Sequence, residues 1–142
     1  MVPARSRPLE TAYRRLRSDA ETLAQLLSQS FTPQSAEEVK RTLRAFRRDV
    51  SEYYRRVEPQ SFVQELGDRA PHLRRQLEDW QRKHQELMHE LEQTCREFRK
   101  QHNHLDATKP KLQHLVSEIL QHEEERDQLV YQSFYPEPSA LD

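Results

Sequence analysis

Glycine is almost missing from this chain: Gly67 is the only one in 142 residues. Gly-rich phosphate loops, dinucleotide folds and close backbone approaches all need that residue, so those architectures are excluded. Many-stranded β folds are disfavoured for the same reason, since each hairpin wants its own turn residues. A single cysteine, Cys95, excludes an intramolecular disulfide and any multi-cysteine zinc site. Long apolar runs are lacking as well. None approaches the roughly 18 residues of a membrane span, and the N-terminus carries no apolar signal core. Nor is one sign of charge in excess, with 23 Lys and Arg against 24 Asp and Glu, a formal net charge of −1. Together these absences predict a soluble, cytoplasmic chain with neither nucleic acid nor membrane as partner. A protein partner, and the choice between monomer and homodimer, are left open. The arginine clusters at Arg14, Arg15 and Arg17 and at Arg44, Arg47 and Arg48 read as solvated helix surface, because nothing aromatic or Gly-rich accompanies them.

Apolar residues make up only 34% of the chain and charged residues 33%, and mean hydropathy is −1.11. Such values border on disorder. The spacing of the apolar residues points the other way. Four segments repeat them in steps of three and four, over about 8–30, 36–58, 71–103 and 109–134, with a short tail at 135–142. The first line is Leu9, Tyr13, Leu16, Ala20, Leu23, Leu27; the second is Val39, Leu43, Phe46, Val50, Tyr53, Val57. Ser35 and Glu38 have capping-box spacing at the start of the second segment. Asp106 or Thr108 is the expected cap of the fourth, with Pro110 in its first turn. Between the second and third, residues 60–70 carry Phe62, Val63 and Leu66, the pattern of a short helix packed over one end of a bundle.

No such helix can bury its apolar stripe alone. Prolines at 33, 59, 71 and 110 turn the chain back too often for a long coiled coil. The predicted fold is all-α, an up-down-up-down antiparallel four-helix bundle in a single domain.

Tyr13, Tyr53, His84 and His122 each stand on the apolar line of their own segment. One polar group per helix, all facing inward, is how bundles build core metal and cofactor sites. Asp127, five residues after His122, adds a carboxylate near the core. His84, His122 and Asp127 thus form a candidate ligand set of the kind that suits iron. The bland alternative is that buried Tyr and His only hydrogen-bond one another. Glu86 and His89 have di-iron carboxylate spacing, but no second copy accompanies them. No H-E-x-x-H, G-x-S-x-G or Gly-rich phosphate motif is present, and Cys95 reads as a small core residue, so no enzyme activity is expected.

Two stretches, LRAFRRDVSEYYRRVEPQSFVQELGDRAPHLRRQLEDWQRKHQELMHEL (43–91) and HEEERDQLVYQSFYPEPSALD (122–142), resemble the bacterial hemerythrin-like, or HHE cation-binding, four-helix bundles. ETAYRRLRSDAETLAQLL (10–27) is a weaker match to that family's first ligand helix. The resemblance implies a hemerythrin-like bundle and places its metal ligands residue by residue. The first-helix histidine falls at Tyr13, and the H-x-x-x-E pair of the second helix falls at Tyr53 and Val57. The third-helix histidine matches His84, with its partner position at Met88, and the fourth-helix H-x-x-x-x-D matches His122 and Asp127. The non-haem iron centre is therefore expected to be lost or reduced, leaving no cofactor and a structural, regulatory or sensing role. The alternative is a mononuclear or di-iron protein that binds iron through His84, His122 and Asp127.

Overall fold

The structure, a computed structural model, describes residues 7–100 and 105–135. In chain order these form α1 (Arg7–Leu27), α2 (Pro33–Val57), α3 (Pro59–Arg69), a 3-10 turn (Pro71–Leu73), α4 (Arg74–Lys100) and α5 (Leu105–Gln132), with no strand among them. None of these helices is long and apolar enough to cross a membrane. His102, His104 and the end expected for the third segment at 101–103 lie outside the described residues, as does the tail from 136 onward.

Proline starts helices here more than it stops them. Pro33, Pro59 and Pro71 each occupy a first turn, where the missing N–H costs nothing and the fixed φ suits helix. Consequently α2 begins three residues earlier than its Ser35–Glu38 spacing predicts. Thr32 is the cap: its hydroxyl accepts from the Ser35 N–H at 3.1 Å, and Ser35 Oγ accepts from the Thr32 N–H at 2.7 Å. At the other end of α2, Glu58 turns the chain into α3 with a positive φ of 27°. Pro59 disfavours a helical conformation at the residue before it, so the corner falls there. Hydrogen bonding continues through that corner, the Glu58 N–H donating to the Tyr54 carbonyl and its own carbonyl accepting from Phe62, both at 3.1 Å.

The start of α5 also differs from expectation. Its backbone is helical from Leu105, so neither Asp106 nor Thr108 caps it, and Pro110 lies within it. The bond that Pro110 cannot donate would have gone to the carbonyl of residue 106, in the first turn, where the loss is small. Residues near this start cap α1 instead. Lys109 Nζ donates to the Gln29 carbonyl at 2.6 Å and Gln113 Nε2 to the Leu27 carbonyl at 3.0 Å, satisfying acceptors that a helix end leaves open.

α1 packs along α2, α2 against α4, α4 against α5, and α5 back against α1, so the four long helices form a closed cycle of neighbours. Their stripes meet in a main apolar cluster that includes Leu16, Leu23, Phe46, Leu91, Phe98 and Leu115. A second, smaller cluster joins Phe62 and Leu66 of α3 to Leu77 and Trp80 of α4 and Leu129 and Val130 of α5. The connector is thus a helix that closes one end of the bundle, as its apolar patch predicts. Between the clusters, along both α4 and α5, lies a layer of buried polar residues.

The capping geometry sets a test of the corrected α2 start. Thr32→Ala is expected to lower unfolding free energy by about 1 kcal/mol, and Glu38→Ala, at an exposed position, to stay within about 0.5 kcal/mol of the parent. Urea denaturation of the two variants separates the observed cap from the one predicted at Ser35.

Candidate functional site

The polar layer is centred on Glu123, whose solvent exposure is 0%. Each carboxylate oxygen takes one phenol: Tyr53 Oη donates to Oε2 and Tyr54 Oη to Oε1, both at 2.5 Å. Two consecutive residues of α2 can converge on one acceptor because the stripe of that helix is centred between them. The neighbouring rings form a continuous chain. Tyr13 meets Tyr53 at 5.8 Å between centroids, Tyr53 meets Tyr54 at 5.0 Å, and Tyr54 stands edge-on to His84 at 4.2 Å. Across the α4–α5 seam the Trp80 indole stacks on His122 at 4.4 Å and lies at 5.7 Å from His84. The two imidazoles are 5.8 Å apart. Trp80 Nε1 donates to the His122 carbonyl at 3.1 Å, fixing the indole against that helix.

Electrostatics here favour neutral rings. Burial pulls His84 down to about 4. It pulls His122 down to about 3, with His84 and the Lys83 charge adding to the effect. The Tyr54 phenol is pushed well above its ordinary value, first by burial and then by the Glu123 charge. His84 Nδ1 and both ring nitrogens of His122 are buried without a hydrogen-bond partner among the described residues. Their stabilisation comes from ring contacts with Trp80 and Tyr54 rather than from polar pairing.

Of the residues singled out in the sequence, Tyr13, Tyr53, His84 and His122 are all buried in this one interior. Val57 and Met88 are half-buried and pack against the main apolar cluster. Asp127 is not with them. Its side chain is 50% exposed and lies 3.7 Å from the Arg126 guanidinium, which in turn sits over the Phe62 ring. The α5 stripe is centred between His122 and Glu123, so a residue about 140° round from His122 falls on its outer margin. Among the described residues, no group of three or more His, Cys, Asp or Glu side chains is placed to hold a metal ion. The donor set of His84, His122 and Asp127 is therefore not assembled, and the residues present do not fit the iron site that the resemblance implies.

Glu123 and Tyr54 were not singled out in the sequence, though a signal existed for each. Glu123 lies seven residues from both Val116 and Val130 on the flank of the α5 stripe, and Tyr54 lies four residues after Val50. A carboxylate at heptad spacing between two valines is a buried-acid signature that a search for histidines passes over. A further pair of acids was equally hidden. Asp19 of α1 faces Asp49 of α2, and its carboxyl is pushed up to about 7, first by burial and then by Asp49. No protein-family model matches the chain, and neither a curated protein nor a solved structure does.

The neutral histidines set a pH dependence. Their folded pKa values lie below the ordinary 6.5, so the unfolded chain takes up protons first as pH falls. Stability from this source is complete above about 6.5. Below that it declines by up to about 1.4 kcal/mol per pH unit and imidazole, until the folded pKa is reached. Asp19 works in the opposite sense, since a raised carboxyl pKa favours the folded state toward acid. The histidine share is therefore read as a difference between chains. Native protein is expected to lose more stability between pH 7 and pH 4 than a His84→Phe/His122→Leu variant, measured by urea denaturation at each pH. Equal slopes would mean that the imidazoles are hydrated or charged in the fold.

Proposed function

We propose that this chain is a non-enzymatic, hemerythrin-like module: an up-down-up-down bundle without a working iron centre, with a structural, regulatory or sensing role exercised through its outer helix faces. One observation carries the reading, the pair of phenol hydrogen bonds on Glu123. A carboxylate whose two oxygens each accept from a tyrosine is committed to the protein. Recruiting it to a metal would cost two buried hydrogen bonds to a charged group, each on the order of 1.5–3 kcal/mol. Tyr13 and Tyr53 stand where the resembling family keeps histidines, and each fills its place with an aromatic ring. The closed cycle of four long helices and the connector over one end also support the reading. A cytoplasmic location suits Cys95, a free and buried thiol.

A second reading, a mononuclear metal site on His84 and His122, is favoured by one fact: His84 Nδ1 and both ring nitrogens of His122 are buried without a hydrogen-bond partner among the described residues. Titration calorimetry with Fe(II) and Zn(II), together with elemental analysis of the purified protein, decides between the two. The metal-free module is expected to carry no stoichiometric metal and to show the same weak heats as a His84→Ala/His122→Ala variant. Saturable binding of one or two ions per chain, abolished in that variant, would overturn it.

A further inference from the structure

The four seams of the bundle are not equally closed. α2 and α4 meet most loosely, and along that seam, away from the buried tyrosines and histidines, runs a groove of about 380 Å³. Its volume lies in the range of small-molecule sites, about 300–1,000 Å³. Leu43, Cys95 and Phe98 form the apolar floor, each 5% exposed or less.

The rim is cationic. Lys40, Arg44 and Arg47 approach from α2 and Arg99 from α4, with Glu37 the single acid among the lining residues. Two of these cations are already engaged. Lys40 lies 3.8 Å from Glu37, and Arg47 makes a forked pair with Glu92 at 2.7 and 2.8 Å. Arg44 and Arg99 are exposed and form no ion pair with any described residue. They stand on opposite helices at the mouth of one apolar floor, at positions where a solvated helix surface would ordinarily intersperse acids. An anionic head seated between two guanidiniums, with an apolar tail against Leu43 and Phe98, would satisfy both parts of the groove.

We propose that the α2–α4 groove is a binding site for a small amphipathic organic anion, its acid group held by Arg44 and Arg99 and its apolar body lying on Leu43, Cys95 and Phe98. Neither half suffices alone. Inorganic phosphate lacks the apolar body and a neutral hydrocarbon lacks the head, so both bind poorly. Arg47 stays with Glu92 and anchors the helix that carries Arg44. Cys95 takes part as an apolar surface, since burial pushes its thiol up to about 11 and keeps it neutral.

Dodecanoate, kept below its micellar concentration, is the probe, with inorganic phosphate and dodecanol as the head-only and tail-only controls. Titration calorimetry of the full chain is expected to show one saturable site for dodecanoate and none for either control. Charge reversal at exposed positions, Arg44→Glu/Arg99→Glu, is expected to weaken binding about tenfold or more, the loss of at least one charge-assisted contact, while thermal unfolding is unchanged. Two-dimensional amide NMR locates the ligand: resonances within 40–47 and 95–99 should move together. Binding that survives charge reversal would overturn the proposal, as would equal binding of phosphate or dodecanol. So would shifts confined to the exposed aromatic residues Tyr131, Phe134 and Tyr135, or the absence of any saturable site.

Discussion

Burying a carboxylate costs several kcal/mol unless its oxygens find donors inside the protein. Glu123 of α5 takes two phenol donors from one turn of α2. Much of the interior is arranged around that requirement. Tyr53 and Tyr54 must reach across the bundle, which sets the rotation of α2 about its axis and its height relative to α5. Tyr54 then presents its edge to His84, and His84 and His122 present their faces to Trp80. Removing the carboxylate would take an acceptor from two phenols, and removing either hydroxyl would take a donor from a buried charge. The residues therefore act as a unit, and single substitutions will not add.

The layer also explains why the core has two parts. Apolar side chains fill the bundle from Leu16 to Phe98 on one side, and from Phe62 to Val130 on the other. A polar stratum between apolar strata favours a single axial register, because sliding α5 by one turn would replace Glu123 opposite the tyrosines by Ile119 and Leu120 in one direction, or by Arg126 and Asp127 in the other. Ion pairs across the surface reinforce that register, Arg47 with Glu92 between α2 and α4 and Lys83 with Glu118 between α4 and α5. Partly exposed pairs of this kind contribute little to stability. Their value lies in excluding alternative alignments.

Charge is distributed unevenly over this frame. The interior histidines are neutral, pulled below their ordinary values by burial. Cations gather on the outer faces of α2 and α4, around the loosest seam of the bundle. A protein with a net charge of −1 can thus present a locally cationic groove, which whole-chain composition does not reveal.

Helix existence, the connector helix and the inward placement of Tyr13, Tyr53, His84 and His122 were all legible in the sequence, because a stripe in steps of three and four leaves an amphipathic segment only one face to bury. Boundaries were less legible. Pro33 and Pro59 look like stops, yet each starts a helix, where a proline forfeits no bond that the first turn could have used. What the sequence could not decide was which flanking residues accompany a stripe into the core. His122 and Asp127 are compatible with one face on spacing alone, and so are His122 and Glu123. The choice went to Glu123 because α2 offers it two phenols, whereas Asp127 remains at the surface beside Arg126. Periodicity states which face of each helix is buried, but the partner of a buried charge lies on another helix some seventy residues away, and only the packing of the four helices brings the two together.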